Sequence, residues 1–195
     1  MISRLRGVLV SRTESGVEIA TGGGVVYEVD VPLSVAMRLP PVGDEIELRT
    51  SQVVREDSLA LYGFLESGER ILFQTLMGTS GVGARLALAM LSTYPAGRLA
   101  KALIEKDIGA LVQVSGVGKK TAERLALELS DRVKDLDLEV APEATGGGTG
   151  AHEAIQALVA LGMAYQDADR SVREVLEDDA DLDSEEIIRR ALARQ

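Results

Sequence analysis

The sequence predicts an α+β protein of several domains, in which a small β-barrel precedes two all-helical regions. Three observations support this prediction. Short strand-like runs separated by glycine and proline occupy residues 1–65, helical spacing of apolar residues follows in 66–136, and helical spacing returns in 151–195. The glycine-rich residues 137–150 between the two helical regions are expected to form a flexible linker.

The N-terminal region reads as a succession of short strands. The strand-like runs are Val8–Val10, Gly16–Ala20, Val25–Val31, Glu45–Arg49, Ser51–Val54 and Ala60–Tyr62. Glycines 22–24 and the Pro-Pro-Val-Gly-Asp segment at 40–44 separate them. Five or six short strands within about 65 residues favour a small closed barrel, and the OB-fold is the leading candidate.

The two later regions predict eight helices. In the central domain the expected helices are 68–77, 85–92, 96–106, 107–112 and 121–134. The C-terminal domain is expected to be a three-helix bundle with helices at 152–161, 165–176 and 184–193. Gly162 suits the end of the first of these, and Asp183 or Ser184 suits the start of the third.

Composition excludes several classes of function. The chain has no Cys, a single His (His152) and no Trp, and its aromatic content is 3%. Disulfides, the usual zinc sites, His-based triads and aromatic base-stacking platforms are therefore not expected, nor is any metal or cofactor. No signal peptide and no run of 18 apolar residues is present, so a cytoplasmic protein without membrane contact is expected.

The net charge of −10 is unevenly distributed along the chain. Residues 68–136 carry 10 Lys and Arg against 7 Asp and Glu, which makes this the one basic region, at +3. Residues 1–67, 137–150 and 151–195 carry −4, −3 and −6 respectively. Any contact with nucleic acid is therefore expected in the central domain.

Two glycine-rich turns in this basic region match each other 35 positions apart: Ser80-Gly81-Val82-Gly83 and Ser115-Gly116-Val117-Gly118. Each turn opens a helical pattern, so its backbone N–H groups and the helix N-terminus could hold a phosphate. The alternative is a pair of ordinary helix–helix turns, which the duplication and the following cations make less favoured. The spacing matches neither the P-loop nor the dinucleotide-binding fingerprint, so ATP hydrolysis by this chain is not expected.

These turns resemble the paired helix–hairpin–helix motif, and the resemblance extends along nearly the whole chain. Residues 1–7, 53–57, 61–64 and 116–125 together look like the bacterial RuvA family of Holliday-junction proteins. The resemblance implies phosphate contacts by both hairpins. Its DNA-contacting residues would be Gly81, Gly83, Arg85, Gly116, Gly118, Lys119, Lys120 and Arg124. The first hairpin departs from the second, because Ala84 stands where the second has Lys119.

Glu56 and Asp57 lie at the polar tip of an otherwise apolar stretch. From the residues alone they are a solvated turn or, less favoured, a paired-carboxylate metal site that lacks an evident third ligand. The family resemblance instead implies an acidic pin, which repels phosphates at the junction centre and holds the strands apart. Arg55 beside them is either a DNA contact or a salt-bridge partner of a carboxylate.

The resemblance also implies partners. Four-way junction DNA would be bound by a homotetramer, alone or paired with a second tetramer. A RuvB-like hexameric ATPase motor would dock on the C-terminal domain through Leu158, Leu161 and Met163, although an apolar stripe of this kind is more often plain core. Whether a RuvC-like resolvase joins the assembly is left open. No function is assigned to His152.

The resulting hypothesis is a non-catalytic DNA-binding subunit of a branch-migration complex, which recognises junctions by shape and backbone. The alternative is a double-hairpin accessory module of a repair nuclease or polymerase. A third reading is an enzyme with a metal site at Glu56 and Asp57.

Overall fold

The computed structural model describes residues 1–13, 16–134, 136, 148–161, 163, 165–179 and 182–193. The described chain divides into two compact units. The first contains the barrel and the helices of the central region, and the second contains the C-terminal helices.

Five strands close the N-terminal barrel. They are β1 Arg4–Arg12, β2 Gly16–Ala20, β3 Val26–Asp30, β4 Glu45–Val54 and β5 Leu59–Phe64. The order around the barrel is β1-β2-β3-β5-β4; β3 and β5 pair parallel, and β2–β3, β4–β5 and β1–β4 pair antiparallel. This arrangement confirms the expected small barrel of the OB class. Alternate residues such as Leu9, Ile19 and Leu48 point inward and are fully buried.

Apart from strand bounds, two features of the barrel differ from the sequence prediction. The runs expected at 45–49 and 51–54 are one strand, because Thr50 between them continues the pairing with β5 opposite Gly63. Its buried hydroxyl also donates to the Ile2 carbonyl at 2.9 Å. A short helix, α1 Leu33–Ala36, was not predicted; it follows Pro32, which cannot continue the strand ladder.

Five helices form the rest of the first unit. They are α2 Ser67–Met77, α3 Ala84–Thr93, α4 Ala96–Ile104, α5 Ile108–Val112 and α6 Lys119–Lys134. All five expected helices are present. The third was expected to reach Lys106, but α4 ends earlier because Lys106 adopts a left-handed conformation with φ of 55°. The N–H groups of Lys106 and Asp107 donate back to the carbonyls of Leu103 and Ala102, which closes the helix end.

Strand β5 and the central helices share one core, which is separate from the core inside the barrel. Phe73 of α2 packs against Tyr62 and Phe64 of β5, with ring centroids 5.0 and 5.1 Å apart. A second contact joins α1 to α3, where the Ser34 hydroxyl donates to the Leu91 carbonyl at 2.7 Å. The regions 1–65 and 66–136 therefore pack against each other within one compact unit, and the barrel keeps a core of its own.

Glu69 fixes the corner between β5 and α2. Its buried carboxylate accepts the backbone N–H groups of Leu65 and Glu66 at 3.1 and 3.0 Å and pairs with Arg38. Desolvation nevertheless raises the pKa of Glu69 above its ordinary value. The corner holds α2, and with it the first glycine turn, at a fixed angle to the barrel.

The second unit contains α7 Gly148–Ala160, α8 Tyr165–Asp178 and α9 Ser184–Ala193, and it confirms the three expected helices. Leu158, Val175 and Ile187 lie in its core. The helix α7 begins inside the range expected for the linker, whereas residues 137–147 and Gly162 lie outside the described residues. Asp183 is the N-cap of α9, since its carboxylate accepts the N–H of Glu186 at 2.8 Å. No helix of the described chain is both long and apolar enough to cross a membrane.

Candidate nucleic-acid interface

The two glycine turns have the same backbone geometry. The N–H of Val82 donates to the Thr79 carbonyl at 3.1 Å, and the N–H of Val117 donates to the Val114 carbonyl at 3.0 Å. Gly81 and Gly116 have φ of +73° and +86° at the third position of these turns. A type II turn requires positive φ at that position, which explains why both turns carry glycine there.

Each turn leads directly into a helix. The carbonyls of Gly83 and Gly118 accept the first helical hydrogen bonds of α3 and α6, from Ala87 at 3.0 Å and Ala122 at 2.9 Å. Both residues lack a side chain that could cap the free N–H groups of the first turn. A β-carbon built on either glycine would meet no atom within 4 Å, so both helix starts are open to a ligand. The arrangement can hold an anion at each turn.

Buried valines hold the turns on the surface. Val82 and Val117 are each only 5% exposed and belong to the shared core, while the serine and glycine positions around them face solvent. The hydrophobic anchor at the centre of each turn therefore fixes the orientation of the exposed N–H groups on either side.

Four cations expected at this interface are exposed. Arg85, Lys119, Lys120 and Arg124 make no ion pair with any carboxylate of the described residues. Ala84, by contrast, is 2% exposed and packs into the core at the position equivalent to Lys119. The first turn thus has one fewer cation of its own.

The two hairpins lie side by side, each against the helix of the other. A β-carbon on Gly116 would lie 3.7 Å from Leu86 Cδ1 of α3, and one on Gly81 would lie 2.8 Å from Arg124 Nη2 of α6. Sequence reasoning missed a further basic residue here, Arg132, which donates to the Thr79 hydroxyl at 3.4 Å. Its spacing of eight residues from Arg124 on α6 is the signal that could have indicated a shared helix face.

The acidic residues Glu56 and Asp57 lie in the loop between β4 and β5, not on a strand, and both are exposed. The loop is closed by a hydrogen bond from the N–H of Arg55 to the Ser58 carbonyl at 2.8 Å. Arg55 forms no ion pair with a described carboxylate, so the salt-bridge alternative is not realised within the chain. No three Asp, Glu, His or Cys side chains of the described residues come together as a metal site.

The base of this loop carries an exposed apolar pair that the sequence did not indicate. Val54 and Leu59 face each other across β4 and β5, and they are 67% and 64% exposed. Directly below the acidic residues, the loop therefore begins and ends on two largely exposed apolar side chains.

The three residues expected to dock a partner on the second unit are placed differently from one another. Leu158 is fully buried, so it supports the surface rather than forming it, whereas Leu161 is 68% exposed. Met163 is half-buried. Leu192 of α9 is also exposed, at 42%, and was not singled out by the sequence.

Family models cover nearly the whole chain. Residues 1–63 match the RuvA N terminal domain, residues 73–131 match the SAM-like helix-hairpin-helix tandem, and residues 150–194 match the RuvA C-terminal domain. The matched segments coincide with the barrel, the two glycine hairpins and the C-terminal helices described above.

Full-length relatives agree with these matches. The chain is 43% identical to a Pseudomonas putida protein over 98% of its own length and 97% of the relative's, and 43% identical to one from Gemmatimonas aurantiaca over 100% and 98%. A Salinibacter ruber protein is 41% identical over 98% of both chains. All three are named Holliday junction branch migration complex subunit RuvA. On the three segment matches, the twin glycine hairpins and this full-length similarity, the chain belongs to the RuvA family.

Proposed function

We propose that this chain is the non-catalytic, structure-specific DNA-binding subunit of a Holliday-junction branch-migration complex. The observation that carries the proposal is the pair of matching hairpins, each with an open glycine at a helix start and with exposed, unpaired cations beside it. Family membership supplies the kind of DNA, since the relatives are named for a complex that acts on Holliday junctions.

The hairpins are proposed to grip the sugar-phosphate backbone. Backbone N–H groups and flexible cations contact phosphates and carry no sequence information, so binding is independent of sequence. The proposed contacts are Gly81, Gly83, Arg85, Gly116, Gly118, Lys119, Lys120 and Arg124.

Glu56 and Asp57 are proposed to shape the junction rather than to bind it. Two exposed carboxylates on a narrow loop repel phosphates, and the repulsion grows where water is displaced. Attraction by the hairpins then supplies affinity, while repulsion by the loop disfavours stacked or closed arms. This division would keep the junction open and accessible to a motor.

Assembly follows from symmetry. A single chain offers two hairpins and one acidic loop, whereas a four-way junction presents four equivalent arms around one centre. A homotetramer matches the symmetry of such a junction, with one acidic loop from each copy at the centre. A second tetramer could cover the opposite face of the junction, and sedimentation of the bound complex distinguishes the two stoichiometries.

The second unit is proposed to recruit a RuvB-like hexameric ATPase. Residues 151–195 carry −6, which disfavours contact with DNA, and Leu161 leaves an apolar side chain 68% exposed. ATP hydrolysis would then reside in the partner, since this chain carries no nucleotide-binding signature.

The test is a gel-shift comparison of four-way junction, fork and duplex DNA of equal length, with and without a divalent metal. The proposal expects tight, metal-independent preference for the junction and no strand cleavage. A Lys119→Gln/Lys120→Gln variant serves as the hairpin control and should weaken binding to every DNA. Equal affinity for duplex and junction would favour the accessory-module alternative, and metal-dependent cleavage would favour a nuclease.

A further inference from the structure

The two hairpins are unequal in their own cations. Lys119 and Lys120 are both exposed at the start of α6, whereas α3 starts with buried Ala84 and exposed Arg85. If each hairpin used only its own residues, the first would hold its phosphate with one charge fewer, and the backbone geometry of the turns gives no reason for such an asymmetry.

Arg124 removes this asymmetry. A β-carbon built on Gly81 would lie 2.8, 3.3 and 3.5 Å from the Nη2, Nη1 and Cζ atoms of Arg124. The whole planar end of the guanidinium group therefore lies against the first turn, although Arg124 belongs to the helix of the second hairpin. The side chain is exposed and forms no ion pair within the described residues, so its charge is available at that turn.

The packing of α6 positions Arg124 beside the first turn. Leu125 and Leu129, on the inner face of α6, are fully buried in the shared core. Further along the helix, Arg132 donates to the Thr79 hydroxyl, and its Nη2 would lie 3.2 Å from a β-carbon on Gly78. Two arginines on one face of α6 thus line the segment that leads into the first turn.

We infer that Arg124 is the second cation of the first hairpin, and that it contacts the DNA phosphate bound by the Gly81 turn rather than the phosphate bound by its own hairpin. This inference rests on the proposed function, in that it assumes phosphate binding at the hairpins. Arginine suits this role, since its planar fork can donate two parallel hydrogen bonds to one phosphate.

A double-mutant cycle tests the assignment. Arg124→Gln is combined with Arg85→Gln and, separately, with Lys120→Gln, and the affinity for junction and for duplex DNA is measured at one fixed salt concentration. Residues that serve one phosphate are coupled, so the Arg124–Arg85 cycle should deviate from multiplicative losses by about threefold or more. The Arg124–Lys120 cycle should be multiplicative within about twofold.

The control variant is Arg98→Gln, which removes an exposed arginine of the same unit that stacks on Tyr94 instead. It corrects for the general loss of positive charge. Coupling of Arg124 to Lys120, or to neither residue, overturns the inference.

Neutral phosphates give an independent readout. Methylphosphonates are placed one position at a time along a junction arm, and affinity is measured for the parent chain and the single variants. One position should abolish the effects of Arg85→Gln and Arg124→Gln together, while a different position abolishes the effect of Lys120→Gln. If the Arg124 effect disappears at the Lys120 position, the inference is wrong.

The proposed function and the assignment of Arg124 to the first hairpin can be contradicted independently. Equal binding of junction and duplex contradicts the proposed function, yet the cycle on either DNA still decides which hairpin Arg124 serves. A chain that binds neither DNA overturns both.

Discussion

The guanidinium group of Arg124 lies against Gly81, a residue 43 positions earlier in the chain and in the other hairpin. Leu86 of the first hairpin's helix lies correspondingly near Gly116 of the second, at 3.7 Å from the position of a β-carbon. The hairpins are therefore not two independent modules joined in series. Each turn is bordered by the helix of the other, so a change at one turn is expected to affect the other.

Gly81→Ala and Gly116→Ala form a matched pair that tests this relationship. Both impose a β-carbon at positive φ, which costs about 1–2 kcal/mol of folding free energy in each variant. Only the β-carbon at position 81 comes within 2.8 Å of a cation and displaces it. We expect similar losses of stability in denaturant titrations, and a larger loss of DNA affinity for Gly81→Ala.

The excess affinity loss of Gly81→Ala should vanish when both variants are compared in an Arg124→Gln background. Equal affinity losses for the two glycine variants in the parent chain would show that the Arg124–Gly81 contact is unimportant for binding.

The contact between Arg124 and the first turn could not be predicted from the sequence. The 35-residue repeat predicted both turns, their glycines and the cations that follow them, because those features are local. The same alignment sets Arg124 opposite Ala89, and nothing in it relates Arg124 to the first turn. That contact depends on how α6 packs beside α2, which is a tertiary relationship between elements distant in sequence.

Other departures have equally specific causes. The predicted runs 45–49 and 51–54 omitted Thr50, but Thr50 pairs with Gly63 of β5, so the two runs are one strand, β4. The family resemblance implied a docking role for Leu158, whereas the apolar stripe alone was equally compatible with plain core, since spacing along a helix does not indicate what covers an apolar face. Burial within the bundle assigns Leu158 to the core and leaves Leu161 outside.

Neutralising the acidic loop should change how the junction is handled more than how tightly it is bound. In Glu56→Gln/Asp57→Asn, loss of repulsion should leave junction affinity unchanged or raise it by up to about tenfold, which is about 1.4 kcal/mol. Arm-to-arm fluorescence energy transfer should report a less open junction, and motor-driven migration should slow.

The matched control is Glu18→Gln/Glu28→Gln. It removes two exposed carboxylates that lie opposite each other on β2 and β3, outside the β4–β5 loop. It should leave junction opening unchanged. If the loop variant and this control behave alike, the loop does not act as a pin.

Lys106 offers a stability test of the helix end at α4. Its φ of 55° places a side chain in a conformation that glycine adopts freely, and its N–H and that of Asp107 already make the hydrogen bonds of a Schellman motif. Lys106→Gly should therefore stabilise the first unit by about 1 kcal/mol in chemical denaturation. Lys106→Ala removes the same charge but keeps the β-carbon, so a comparable gain in that variant would refute the explanation.

Asp30 gives the first unit a defined pH dependence. Desolvation, and then the nearby Glu28 carboxylate, raise the pKa of Asp30, and Tyr62 lies beside it on β5. The folded state thus holds the proton to higher pH than the unfolded state, so this residue's contribution to stability falls as pH rises from the ordinary aspartate pKa through the raised one.

Asp30→Asn removes this titration. We expect the variant to gain stability over the parent chain as pH rises through that window, with little difference at lower pH, as measured by denaturant titration at each pH. A gap that is constant with pH would mean that the substitution acts through packing and not through ionisation.

The exposed leucines of the second unit separate partner docking from folding. Leu161→Gln should change stability by no more than about 0.5 kcal/mol, because the side chain is 68% exposed. Leu158→Ala should instead cost about 2–5 kcal/mol, because its fully buried side chain leaves a cavity.

If Leu161 docks the motor, Leu161→Gln loses stimulation of the RuvB-like ATPase while junction binding by the hairpins is retained. Leu192→Gln on α9 is the matched control, since it removes another exposed leucine from the same unit. Equal loss of stimulation in the Leu161 and Leu192 variants would place the docking surface across α9 and the turn that follows α7, whereas full stimulation in the Leu161 variant would exclude Leu161 from it.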